Sequence, residues 1–406
     1  MKHFYPRCGI GGLLLLCLNS MVWADVSHDF EPSARFRLGY VDPETGPHGR
    51  AASVLLRGHL SSQWHAQWHT EVALDHIARG WSGYHNAGTD STERPVIPDP
   101  RATPFSRLLI GYRPAGANHA LVHLGRQTLD YDNQRLIGSD DFWQNERTVD
   151  ALSVRVPLGS GSRMDYAYVF RTRGIDNQPV ENSYPPNSYA SDYRLALSSH
   201  RHDSHLARLE WNEWDYMQLV GYGYRQDNRD SPQLSNDTLG ARYRFTYRGP
   251  RLRYRAELDS AQQTLTGRPG RPRPSYRALD FTAGVGRLDI GVRHEHLGSD
   301  EGNRFLTPLG SNYRFQGLTG QAMATEAGLR DNSLALSWRH HPWRMDLRHH
   351  WFTDTTDGQR LGQEVNLDLQ FRMTRRHQIN IRYGRFSGAN ESADEQRFYV
   401  DYSFNR

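Results

Sequence analysis

The sequence predicts an all-β protein: a transmembrane, antiparallel, up-and-down β-barrel of about eighteen strands, following a cleaved signal peptide. Three observations carry that prediction. Apolar and polar residues alternate with a period of two along one segment after another, which is the spacing of a strand and not of a helix. The links between these segments alternate short and long, as expected when one end of a barrel faces the periplasm and the other the outside. Only 37% of the 406 residues are hydrophobic, yet 10 Trp, 21 Tyr and 15 Phe are present. That combination fits neither a large dry core nor a disordered chain. No run of roughly 18 apolar residues follows the N-terminus, so crossing a membrane by helices is excluded.

Residues 1–24 read as the signal peptide. Lys2 and Arg7 supply the positive start, Ile10 to Leu18 the apolar stretch, and Val22-Trp23-Ala24 the small residues before cleavage. Both cysteines, Cys8 and Cys17, leave with it. A secreted chain without a disulfide is not a small stapled extracellular domain. Residues 25–406 are then one barrel domain.

Strands are expected near 33–41, 51–60, 63–76, 105–113, 118–126, 148–157, 163–172, 203–212, 214–225, 236–247, 250–260, 275–285, 287–297, 331–340, 343–352, 363–372, 377–386 and 396–404. The third shows the pattern plainly. Trp64, Trp68, Val72 and Leu74 fall on one face, and His65, His69, Glu71 and Asp75 on the other. Later, Leu252, Tyr254, Ala256 and Leu258 oppose Arg253, Arg255, Glu257 and Asp259. Short links are expected near 61–62, 114–117, 158–162, 212–213, 248–249, 286, 341–342 and 373–376. Each of them falls between two long links. Segment 190–199 looks extended but breaks this parity, and is therefore assigned to an extracellular loop. Tyr40, Trp64, Tyr112, Tyr224, Tyr247, Trp343, Trp351 and Tyr402 sit near strand ends, where interfacial aromatic girdles belong.

The stretch Gly125-Arg126-Gln127-Thr128-Leu129-Asp130-Tyr131-Asp132-Asn133-Gln134-Arg135-Leu136-Ile137-Gly138, with Trp143-Gln144-Asn145-Glu146-Arg147-Thr148-Val149-Asp150 after it, resembles the signature of the alginate-export family of outer-membrane porins. Asp203-Ser204-His205-Leu206, Gly221-Tyr222-Gly223-Tyr224 and Ser231-Pro232 are similar to that family as well. The resemblance spans the mature chain. It implies a monomeric eighteen-stranded barrel in a Gram-negative outer membrane, with an electropositive lumen that conducts an anionic polyuronate. The alternatives kept beside it are a general small-solute uptake porin and a loop-mediated receptor or adhesin with a plugged lumen.

The basic residues gain meaning on this frame. Lys2 is the only lysine, so nearly all of the 49 basic residues are arginines, against 45 acids and a net charge of +4. That balance excludes a nucleic-acid-binding surface. A cationic side chain facing lipid at midplane costs about 2–4 kcal/mol, so alternation drives strand arginines into the lumen. The densest group is Arg242, Arg244, Arg251, Arg253 and Arg255 on one hairpin, with Arg107, Arg293 and Arg348 on other strands. Each guanidinium fork can hold a carboxylate bidentately. The competing reading pairs these arginines with wall carboxylates in structural ladders. The long link 127–147 carries Asp130, Asp132, Arg135, Asp140, Asp141, Glu146 and Arg147, a mixed set suited to a constriction loop folded into the pore. The 77–104 link, with Pro95, Pro98 and Pro100, reads as a surface cap.

Catalysis is not expected. His65 and His69 have metal-site spacing for a helix, but on one strand they lie roughly 13 Å apart. No H-E-x-x-H is present, and no serine or histidine stands out as part of a triad. No cofactor is implied. The expected partners are outer-membrane lipid and lipopolysaccharide, the barrel-assembly machinery, and an anionic solute or polysaccharide.

Overall fold

Alternation over seven to seventeen residues gives each segment one face for lipid and one for water, and pairing in sequence order closes the ring. The computed structural model describes residues 26–80, 95, 97–116, 120–159, 161–179, 195–324, 327–389 and 394–405. The signal-peptide assignment lies outside them, as does the first half of segment 190–199.

The strands are β1 Ser27–Pro43, β2 Gly49–His65, β3 Trp68–Arg79, β4 Phe105–Tyr112, β5 Leu121–Gln127, β6 Thr148–Pro157, β7 Ser162–Arg173, β8 His200–Trp214, β9 Met217–Gln226, β10 Asn236–Arg248, β11 Leu252–Thr264, β12 Ser275–Val285 and β13 Leu288–Leu297. A two-stranded hairpin, β14 Ser299–Asp300 and β15 Asn303–Arg304, follows in a loop. The ring then resumes with β16 Leu329–His340, β17 Trp343–Thr353, β18 Arg360–Arg372, β19 His377–Gly388 and β20 Glu395–Asn405. All eighteen expected strands are present. Each pairs antiparallel with its neighbours, and β1 pairs with both β2 and β20, so no edge remains.

Two turns lie a few residues later than expected. The β2–β3 turn is at 66–67, not 61–62, and the β8–β9 turn at 215–216, not 212–213. The reason is geometric. A two-residue turn preserves the alternation, so Trp64 and Trp68 both stay outside across it, and periodicity alone does not mark the bend. Residues 195–199 lie outside the barrel wall, against 176–179, as parity required.

The outside is apolar. Phe36, Leu38, Leu108, Ile110, Leu219, Leu258, Ile290, Val292, Leu334 and Leu347 are all exposed. In water each such side chain would forfeit about 1.5–3 kcal/mol of burial, so the belt requires lipid. Trp64, Trp68, Trp211, Trp214, Tyr247 and Trp343 are exposed beside the short turns and form one girdle. Tyr224 is a correction: it points inward, is buried, and stacks with Tyr222 and Tyr131. The buried apolar residues lie within the barrel, where loops pack against the inner wall.

Candidate channel constriction and vestibule

The 128–147 loop folds into the barrel. It leaves β5 two residues after Gly125, whose φ of +126° and approach of a virtual Cβ to 2.3 Å from the Leu108 carbonyl oxygen admit only glycine. The loop is compact. The Asp130 carboxylate accepts the Ser139 amide at 2.7 Å, and the Tyr131 amide donates to the Ile137 carbonyl at 3.1 Å. Tyr131, Leu136, Ile137, Phe142 and Trp143 are buried. Burial pushes the Asp130 carboxyl upward, against its hydrogen bonds to Ser139. Burial also pushes Asp140 up to about 7, with Arg147 opposing, and its Oδ1 has no hydrogen-bond partner.

The loop's charges fasten it to both sides of the ring. On one side, Gln144 bonds Arg35 of β1 and Ser53 of β2. Arg37 of β1 donates to the Phe142 carbonyl at 2.6 Å, and Glu146 accepts from Arg57 at 3.0 Å and Arg107 at 2.8 Å. On the other side, Asp132 meets Arg208 of β8 at 2.6 Å. The Asn133 amide oxygen accepts from Arg242 of β10 at 3.0 Å, and its NH2 donates to Glu257 of β11 at 3.0 Å. Arg135 reaches Glu295 of β13 at 2.8 Å. In an eighteen-membered ring β1 and β10 stand opposite one another, so residues 133–144 cross the lumen. Asp141 pairs with Arg314 at 2.5 Å, and Arg147 donates to the Gly138 and Gly310 carbonyls.

Two further loops meet this one inside the barrel. Residues 305–319 of the 298–328 link are largely buried. They receive the Gly138 amide at the Leu309 carbonyl and give the Ser311 amide to the Gln134 carbonyl. Thr319 anchors them to Glu364 of β18. Residues 97–100 are also buried, and Asp99 accepts from Arg37 at 3.2 Å and from the Gln144 amide at 2.8 Å. This part of the expected surface cap is therefore an inner strut. Neither loop was singled out from sequence as entering the barrel. The available signal was apolar content that an exterior loop has no use for: Ile97, Phe305, Leu306, Leu309 and Phe315.

The arginine hairpin is more fully partnered than its sequence suggests. Arg242 is buried against Asp259 at 2.5 Å, and Arg244 binds Glu257 at 2.8 Å. Arg253 binds Asp289 at 2.9 Å, and Arg255 stands 3.7 Å from Asp280. Asp280, Asp289 and Asp132 come from β12, β13 and the constriction loop, which inspection of one hairpin does not bring together. Arg251 is corrected outright. The turn takes three residues, 249–251, so Arg251 lies exposed in it and outside β11. Arg293 is buried against Glu295 at 2.7 Å, and Arg107 is held by Glu146.

Below these ties, toward the short turns, the wall opens into a recess of about 370 Å³. Arg248, Arg253, Arg255, Arg339, Arg344 and Arg348 line it, with Asp280, Asp289 and Asp346 as the acids. Arg339 also binds Asp289, and Arg344 binds Asp346 at 2.7 Å. Arg348 has Ser333 as its hydrogen-bond partner at 3.0 Å. Six guanidiniums against three carboxylates leave the vestibule positive.

A closed eighteen-stranded antiparallel barrel with an apolar belt, an aromatic girdle and loops folded into a charged lumen is an outer-membrane β-barrel of porin architecture. No protein-family model matches the chain, and no curated protein matches it. Solved structures do. Acinetobacter baumannii OccAB4 superposes with a TM-score of 0.69 at 11% identity, over 93% of this chain and 98% of that one. Pseudomonas aeruginosa OpdL gives 0.68 at 13%, over 93% and 99%. Pseudomonas aeruginosa OpdK, determined with vanillate, gives 0.66 at 14%, over 93% and 99%. At such identities the likeness establishes the fold.

Proposed function

We propose that the chain is a substrate-selective outer-membrane channel through which small anionic solutes, carboxylates among them, diffuse inward. The observation that carries this is the crossing of the lumen by residues 133–144, tied to β1 and β2 on one side and to β10 and β11 on the other. A lumen divided in this way leaves room for a small molecule and opposes a polymer. The arginine excess of the vestibule favours anions at the periplasmic mouth. Conduction of a polyuronate, which the resemblance to alginate exporters implied, has less support. No family-model match accompanies that resemblance, and the similar solved structures are Occ and Opd proteins, one of them determined with the small carboxylate vanillate.

Planar-bilayer recording and liposome swelling test the reading together. The expected result is a small conductance with anion preference, and swelling in monomeric aromatic or aliphatic carboxylates but not in uronate oligomers. Cation preference, or passage of the oligomers, would refute it. A silent bilayer would favour the receptor with a plugged lumen.

A further inference from the structure

His69 of β3, Gly111 of β4 and His123 of β5 are register neighbours across three strands. Side chains on alternate strands start about 9.5 Å apart, two strand spacings, and normally a residue stands between them. Here the middle position is glycine. The two imidazoles meet above it, Nε2 to Nε2 at 3.0 Å, with ring centroids 5.1 Å apart. A Cβ at position 111 would fall 2.0 Å from the His69 ring. Glu71, two residues along β3, shares their face, and one ligand atom from each of the three residues lies within 4.8 Å of the others. His59 of β2 stands behind, its Nε2 3.7 Å from the Glu71 carboxylate, buried and without a hydrogen-bond partner. The face is the inner one, since Asp75 and Ala73 on the same side of β3 are buried while Trp68 and Leu74 opposite are exposed.

We propose that His69, His123 and Glu71 form a binding site for a divalent transition-metal ion such as Zn²⁺ on the inner wall, close to the periplasmic turn at 66–67. Two imidazole nitrogens and a carboxylate oxygen are the donor set such ions prefer, with water completing the coordination. Nitrogens at about 2.05 Å from a tetrahedral ion are roughly 3.3 Å apart, so a few tenths of an ångström of movement converts the present contact into a bite. The metal takes the place of the hydrogen bond between the two Nε2 atoms. Arg113 and Arg155 bring positive charge near His123, so Glu71 supplies the anion the site requires. Spacing along one strand excluded His65 as a partner for His69; the partner, His123, lies across the sheet.

The test is a titration of tag-free full-length protein in detergent micelles with Co²⁺, read by its visible ligand-field absorption, and with Zn²⁺ as competitor. One Co²⁺ per chain is expected, displaced by Zn²⁺. His69→Ala and His123→Ala should abolish the band, and Glu71→Gln should weaken binding at least about tenfold. Gly111→Ala keeps all three ligands but displaces His69, and should lose the band too. His294→Ala, a histidine elsewhere on the barrel, should keep it. Strand circular dichroism confirms that each variant is folded, and His69→Gln and His123→Gln replace any alanine variant that is not. A wild type without a stoichiometric band, or histidine variants that bind as tightly as wild type, would overturn the assignment.

Discussion

Arg135, in the constriction loop, forks onto Glu295 of β13 through Nε at 2.8 Å and Nη2 at 3.3 Å, with both side chains buried. Removing one partner of a buried pair typically costs about 3–5 kcal/mol, because the other charge is left uncompensated. Glu295 retains Arg293, so Arg135→Met leaves the wall side satisfied and removes one of the loop's several ties, at a cost below that range. The barrel should stay intact while amide exchange in 130–147 accelerates by roughly tenfold. Single-channel conductance should rise. Unchanged protection together with unchanged conductance would show that the loop is held elsewhere.

Selectivity should reside in the vestibule and not in the buried ties. Arg255 is 3.7 Å from its nearest carboxylate, and Arg348 binds a serine, so their charge is only weakly neutralised. Replacing both by Gln should move the reversal potential toward cations. The shift should be larger at 0.1 M than at 1 M salt, where the screening length falls from about 10 to about 3 Å. Arg242→Gln, by contrast, breaks a buried tie to Asp259 and Asn133, and should loosen the loop with little direct effect on selectivity.

The wall was legible in the sequence because its physics is local. A strand between lipid and water must alternate, and Leu252 to Asp259 display that without reference to any other strand. The position of the β2–β3 turn was not legible, since Trp64 and Trp68 keep phase through it. The entry of residues 128–147 into the lumen could be anticipated from their mixed charges. Their partners could not, because Arg135 meets a residue 160 positions away and Asn133 one 124 away. For the same reason the arginine hairpin read as a bare cationic strip until Asp280 and Asp289 were placed beside it.

Gly125 sets the direction in which the constriction loop leaves β5. At φ of +126° any side chain is strained, by about 1–3 kcal/mol, and here its Cβ would also strike the Leu108 carbonyl. Gly125→Ala should therefore displace β5 from β4 and disturb the loop behind it. The expected outcome is a lower unfolding temperature and an enlarged, noisier conductance. A substitution of Gly46, also at positive φ but with nothing near its Cβ, should reproduce only the backbone part of the loss.

Asp140 gives the constriction a pH dependence whose sign follows from its surroundings. Burial holds its carboxyl up to about 7, above the ordinary value of 3.8, and Arg147 only partly opposes this. The packed loop therefore keeps a proton that an opened loop releases. Between about pH 4 and pH 7 the packed state binds more protons than the open one, so its stability falls as pH rises through that window and levels off above it. The full change is on the order of 4 kcal/mol. Channel noise from loop opening should accordingly increase from pH 5 to pH 8, with its midpoint near 7. Asp140→Asn keeps the size of the side chain and removes the titration, so its recordings should stay as quiet at pH 8 as those of the wild type at pH 5. A mutant that keeps the wild-type pH profile would place the titrating group elsewhere in the loop.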